Sequence, residues 1–293
     1  MPNDIERFPI LIAPRELASR AGGNDVVVVD CRFNLIEPAQ GREKWTDAHI
    51  PGAFYAHLDT DLASPISATS GRHPLPNPET FAHLIGSWNV QSDTFVVVYD
   101  DAGGAIAARL WWLLRWVGHE RCALLDGGYP AWQAANLPVD NKNPTYTDGR
   151  YPVCAGSWPT IDVSGIEQGL AAKNLNLLDA RDPARFAGEI EPIDSKAGHV
   201  PGAYNWPFSN NLSAAGQFLP PNVLAQALTP LMQGNVAAMC GSGVTACHTL
   251  FAMELAGLLE DAKPKPALYC GSWSEWIRAD NRAIATGTDP FPD

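Results

Sequence analysis

The sequence has no basic stripe, no Cys-x-x-Cys pair and no long apolar run, and each absence closes off a class of protein. Thirty-two acidic side chains against 20 basic ones leave 293 residues with a formal charge of −12, the wrong sign for a nucleic-acid surface. No apolar stretch approaches the ~20 residues that a membrane-spanning helix needs, so no membrane partner is expected. Asp4, Glu6, Arg7, Arg15 and Glu16 interrupt the first twenty residues where a signal peptide would be apolar, so a cytoplasmic chain is expected. The six cysteines, at 31, 122, 154, 240, 247 and 270, include no closely spaced Cys/His set suited to zinc. Cys247 and His248 are neighbours on a helical pattern and therefore point in different directions. Reduced thiols, with no metal and no cofactor, are the expectation.

What the sequence does contain is an order of blocks that occurs twice. Val26-Val27-Val28-Val29-Asp30-Cys31-Arg32 precedes His49-Ile50-Pro51-Gly52-Ala53, then Phe95 to Asp100, a helical segment from Ala105 to Gly118, and Asp126-Gly127-Gly128-Tyr129. The second half offers Leu177-Leu178-Asp179-Ala180-Arg181, His199-Val200-Pro201-Gly202-Ala203, Val236 to Cys240, another helical pattern, and Cys270-Gly271-Ser272-Trp273-Ser274-Glu275-Trp276. Asp30 and Asp179, His49 and His199, Asp100 and Cys240, and Gly127 and Gly271 stand 149, 150, 140 and 144 residues apart, a register too regular for chance. Apolar strand-length runs alternating with helical patterns indicate, in each copy, a parallel sheet covered by helices. Pro144, Gly149, Pro152, Gly156 and Pro159 mark a linker over 141–159, between domains at 1–140 and 160–293. The Trp111, Trp112 and Trp116 set has helical spacing and reads as core.

The chemistry concentrates at Val236-Ala237-Ala238-Met239-Cys240-Gly241-Ser242-Gly243-Val244-Thr245. A short apolar strand ends at Cys240, two glycines permit a tight loop, and a helix starts near Thr245 and stops by Gly257. A thiol at such a junction meets converging backbone N–H groups and the positive end of a helix dipole, which favour a thiolate. A free cysteine is also a common apolar filler, and the repeat provides a control. The first copy has Asp100 at the matching place, so the scaffold does not require cysteine there. The second copy is expected to carry the site and the first to be inactive, with catalysis in the groove between them.

Cys240-Gly241-Ser242-Gly243-Val244-Thr245-Ala246, the paired His-x-Pro-Gly boxes and the terminal Gly-Ser-Trp-x-Glu-Trp resemble the tandem-domain sulfurtransferases, that is, the rhodaneses and 3-mercaptopyruvate sulfurtransferases. The resemblance implies an α/β fold of two tandem rhodanese-like domains, each a parallel sheet flanked by helices. It also implies transfer of sulfane sulfur through a Cys240 persulfide, held by the amides of Gly241, Ser242, Gly243, Val244 and Thr245. The donor would be 3-mercaptopyruvate or thiosulfate and the acceptor cyanide or a thiol, with a thioredoxin-like reductant as a candidate protein partner. The neutral residues after the cysteine resemble the mercaptopyruvate branch. That branch presents two arginines to the donor; Arg185 matches the first, and between Glu189 and Lys196 only Lys196 is cationic. Arg185 could instead pair with nearby carboxylates, and Arg181 could be structural. His49 is the catalytic histidine candidate by the same resemblance, although its duplication as His199 suits a scaffold role. Cys247 reads as core.

Two rivals differ in class. A phosphatase of related fold needs an arginine about six positions after its cysteine, and position 246 is alanine. A noncatalytic binding module would be expected to lose the cysteine, as the first copy has.

Overall fold

A computed structural model describes residues 8–20, 23, 25–260 and 262–289. The chain divides into two compact units, one of 1–57 with 77–157 and one of 58–76 with 158–293.

In the first unit, β1 (Leu11–Ile12), α1 (Pro14–Arg20), β2 (Val26–Asp30), α2 (Ala39–Asp47), β3 (Phe54–Tyr55), α3 (Pro78–Ser87), β4 (Phe95–Tyr99), α4 (Ala107–Trp116), β5 (Cys122–Leu125) and α5 (Gly128–Ala134) follow in order. The strands form one parallel sheet in the order β1-β5-β4-β2-β3, with Val26 opposite Phe95 and Asp30 opposite Tyr99. β4 is buried along its whole length, as expected of a strand covered on both faces. Trp111 and Trp112 are fully buried on α4, and Trp112 stacks on Trp116, so the tryptophan set is core.

The second unit repeats the plan with α6 (Val163–Ala171), β6 (Leu175–Asp179), α7 (Pro183–Ala187), β7 (Ala203–Asn205), α8 (Pro221–Leu228), β8 (Asn235–Met239), α9 (Thr245–Leu255), β9 (Ala267–Leu268) and α10 (Ser272–Trp276). Its parallel sheet runs β7-β6-β8-β9, and Thr160 bridges Leu268 in parallel where the first unit has β1 beside β5. Gly257, at φ +74°, follows the end of α9 in the left-handed conformation that closes a helix.

The duplicated Asp-x-Arg and His-x-Pro-Gly blocks make matching contacts in the two units. Arg32 grips Asp30 and donates to the Ala48 carbonyl at 2.7 Å, and Arg181 grips Asp179 and donates to the Gly198 carbonyl at 2.8 Å. Burial opposes the charge on Arg181, but the adjoining Asp179 carboxylate more than offsets this and holds its pKa above the ordinary arginine value. His49 stacks on Trp45 and sets Nδ1 against the Trp45 carbonyl; His199 stacks on Phe186 and does the same with the Phe186 carbonyl.

The unit boundaries differ from those expected at 140 and 160 in two places. Residues 141–157 pack with the first unit: Thr147 N–H donates to Ser87, Tyr151 N–H to Ala82 and Cys154 N–H to Val117, and these bonds occupy backbone that a free linker would leave to water. Residues 58–76, which the repeat assigns to the first copy, belong to the second unit.

His119, buried in the first unit, accepts at Nδ1 from the Tyr151 hydroxyl and donates from Nε2 to the Arg121 carbonyl, a pairing suited to the neutral ring. Burial lowers its pKa to about 4. Below the unfolded value near 6.5 the unfolded chain takes up a proton that the folded chain refuses, so stability is lost as pH falls towards 4, by on the order of 3 kcal/mol. Urea unfolding measured from pH 7 to 4 should show this slope, and His119→Gln should flatten it.

Candidate active site

β8 delivers Cys240 to the loop that opens α9. Its Sγ lies 3.1 Å from the Gly243 amide nitrogen and 3.5 Å from that of Ser242, so two backbone N–H groups point at the sulfur. The loop is tied down from the C-terminal motif. Cys240 N–H donates to Ser272 Oγ at 3.1 Å, Trp273 N–H to the Cys240 carbonyl at 3.0 Å, and Ser274 N–H to the Gly241 carbonyl at 2.9 Å. Gly243 sits at φ +77°, and a Cβ there would lie 2.5 Å from the Cys270 carbonyl oxygen, so both conformation and space demand glycine.

The first unit shows what this loop geometry is for. There the Asp100 carboxylate accepts from the amides of Ala102, Gly104, Ile106 and Ala107, all at 2.8–2.9 Å. The same strand-loop-helix turn is an anion cradle, filled in one unit by its own carboxylate and offering N–H groups to a thiol in the other.

Two arginines flank Gly241. A Cβ at this position would stand 2.9 Å from Arg72 Nη2 and 3.7 Å from both terminal nitrogens of Arg185. Arg185 is therefore at the loop as expected, and it also pairs with carboxylates. It donates from Nε and Nη2 to Glu191, the shortest contact being 2.7 Å, and from Nη2 to Asp194 Oδ2 at 3.2 Å. Burial opposes ionisation of Glu191, but the Arg185 bonds and the N–H groups of Ile193 and Asp194 outweigh it and hold its pKa below the usual carboxylate range. Burial is the larger effect at Asp194 and pushes its carboxyl up, against the pull of Arg72 and Arg185.

Arg72 comes from the segment 58–76, which sequence reasoning left unread. Gly71 brings it close, since a Cβ there would meet the Gly271 carbonyl at 2.4 Å, and Arg72 N–H donates to Ser274 Oγ at 3.0 Å. Its guanidinium pairs through Nη1 with Asp194. The next residue, His73, is buried, with Nδ1 2.7 Å from Ser242 Oγ and Nε2 3.0 Å from Asp59 Oδ1. Asp59, His73 and Ser242 thus form a hydrogen-bonded chain ending two residues from the cysteine. The signal was a Gly-Arg-His triplet in a loop rich in small residues, with no periodicity to single it out.

Other expected site residues have the following surroundings. Both ring nitrogens of His49 are engaged within the first unit, at the Trp45 and Lys142 carbonyls, and within the second unit the histidine that meets the loop is His73. Lys196 Nζ pairs with Asp280 at 2.9 Å, and Arg72 is the second cation beside Gly241. Val244 is buried, and Thr245 begins α9. Cys247 is buried with Sγ 3.3 Å from the Gly243 carbonyl, a packing position.

The family model described as "Rhodanese-like domain" matches residues 13–135 and again 163–279. The chain belongs to the rhodanese-like family. Each rhodanese-like copy coincides with one of the duplicated sheets. A protein of Pseudomonas aeruginosa named a probable 3-mercaptopyruvate sulfurtransferase is 45% identical, over 94% of this chain and 98% of its own. A bovine (Bos taurus) thiosulfate sulfurtransferase is 31% identical over 92% of each chain. Among solved rhodanese-like structures, the 3-mercaptopyruvate sulfurtransferase from Leishmania major is 28% identical with a TM-score of 0.78, covering 91% of this chain and 74% of that one.

Gly243→Ala should cost clearly more stability than Gly257→Ala. The second residue has a similar φ of +74° with nothing within 4 Å, and so meets only the left-handed penalty of about 1–2 kcal/mol. Paired denaturant titrations of the two variants check the difference.

Proposed function

We propose that this rhodanese-like chain is a sulfurtransferase that takes the thiol sulfur of 3-mercaptopyruvate onto Cys240 as a sulfane sulfur and passes it to a thiol or cyanide. The observation that carries this reading is the set of groups around Sγ: two amides aimed at the sulfur, two guanidinium groups beside Gly241, and a Ser-His-Asp chain ending at Ser242.

In the first half-reaction the Cys240 thiolate attacks the donor's sulfur. The S–S bond forms as the carbon–sulfur bond breaks, and its electron pair passes to the pyruvate enolate. Arg72 and Arg185 are the cations that would hold the donor's carboxylate and carbonyl oxygen, where charge develops. The thiol proton of the donor must end on the methylene carbon of pyruvate. With Asp59 accepting from Nε2, the neutral His73 ring accepts at Nδ1 from the Ser242 hydroxyl, so Ser242 and His73 can take that proton from sulfur and return it to carbon. The products are pyruvate and a Cys240 persulfide anion, facing the Ser242 and Gly243 amides. In the second half-reaction the acceptor's lone pair attacks the outer sulfur, the S–S bond breaks, and the thiolate is restored.

Thiosulfate is the second donor reading, supported by the bovine relative's name and by the cationic pair. A thioredoxin-like reductant suits the thiol acceptor. Among the described residues no helix is long and apolar enough to cross a membrane, and the charge of −12 is the wrong sign for a nucleic-acid partner.

Mass spectrometry after donor treatment should find one added sulfur on the peptide carrying Cys240 and none in Cys240→Ser. Failure of mercaptopyruvate and thiosulfate alike to load that peptide would remove the function. Arg72→Ala and Arg185→Ala should each raise the donor KM at least tenfold, roughly the worth of one charge-assisted hydrogen bond, while leaving the persulfide peptide detectable at saturating donor. A cyanide-coupled rate assay with the two donors side by side measures this.

A further inference from the structure

Two cations stand beside Gly241, yet the immediate surroundings carry no net positive charge. Glu191 and Asp194 balance Arg72 and Arg185, while Arg181 is matched by Asp179. The two balancing carboxylates differ in role. Glu191 is pinned by the fork of Arg185 and by the N–H groups of Ile193 and Asp194, so it is part of the loop's own construction. Asp194 has a side chain only 5% exposed and places one oxygen on Arg72 and the other on Arg185, bridging the two groups that would meet the donor.

We infer that Asp194 is the donor-selecting residue of this site: by sharing the two guanidinium groups it leaves them able to hold one carboxylate but undercharged for a dianion. This rests on the sulfurtransferase reading above. The physical ground is Coulombic. A carboxylate between the two arginines acts on every charge of an incoming donor, so it penalises thiosulfate, with two negative charges, about twice as much as mercaptopyruvate, with one. At the few ångströms involved and the effective dielectric of a partly buried site, the difference amounts to at least about tenfold in relative affinity. With so little of its side chain open to solvent, the Asp194 carboxylate is only weakly screened.

The test is the ratio of kcat/KM for thiosulfate to that for 3-mercaptopyruvate, with cyanide as acceptor, in the wild type, Asp194→Asn and Asp194→Glu. Asp194→Asn removes the charge at nearly constant shape and should raise the ratio about tenfold or more, mainly through the KM for thiosulfate. Asp194→Glu keeps the charge and should stay near the wild-type ratio. A merely structural role would lower both donors together in both variants and leave the ratio where it was. In the Cys240→Ser background, calorimetric titration should show the Asn variant binding thiosulfate more tightly by a similar factor while pyruvate changes less. An unchanged ratio in an enzyme whose Cys240 does load sulfur overturns the selection role alone. Failure of the wild type to load sulfur from either donor overturns the function, and the selection role with it.

Discussion

The site depends on three hydrogen bonds that fasten the Cys240 loop to the start of α10: Cys240 N–H to Ser272 Oγ, Trp273 N–H to the Cys240 carbonyl, and Ser274 N–H to the Gly241 carbonyl. They satisfy the backbone groups on the side of the loop turned away from the sulfur. The amides of Ser242 and Gly243 are thereby left to face Sγ, and a loop of small residues gains a single conformation without bulky packing. Donors set in place before charge develops need no rearrangement during reaction, which is the condition under which backbone dipoles are most effective.

The duplicated architecture clarifies what is generic and what is particular. Both units grip a strand-end aspartate with an arginine two residues on, and both seat a stacked histidine against a carbonyl. Those features stabilise the crossing from strand to loop and do not distinguish the copies. The difference lies in the cradle. Asp100 satisfies four amides with its own carboxylate, whereas Cys240 presents a polarisable sulfur to two. The first loop is complete by itself. The second is shaped for a negative charge that chemistry must supply.

Around that loop, cations and carboxylates are arranged in matched numbers. The cationic groups beside Gly241 arrive from Arg72 and Arg185, not from the loop, so the neutral run Gly241-Ser242-Gly243 does not imply a neutral environment. Largely buried guanidinium groups without partners would be costly, and Glu191 and Asp194 reduce that cost. The carboxylates that make the arginines tolerable also moderate them, and fold stability and ligand charge are thus set by the same residues.

By itself the sequence determined the parallel sheets, the duplication, the strand-loop-helix at Cys240 and the position of Arg185. The first three are written in local periodicity, in glycine and proline placement, or in spacing within one copy, whereas Arg185 was singled out by the family resemblance. It did not disclose that 58–76 packs in the second unit, nor that Arg72 and the Asp59-backed His73 meet Gly241 and Ser242, about 170 residues further on. Nor did it separate His49, whose nitrogens face carbonyls of its own unit, from His73, because what a histidine's two nitrogens face is set by the folded chain. Such long-range apposition arises only when the chain closes on itself: Gly71 fits against the Gly271 carbonyl because it has no side chain, and that close approach places the next two residues beside Gly241 and Ser242.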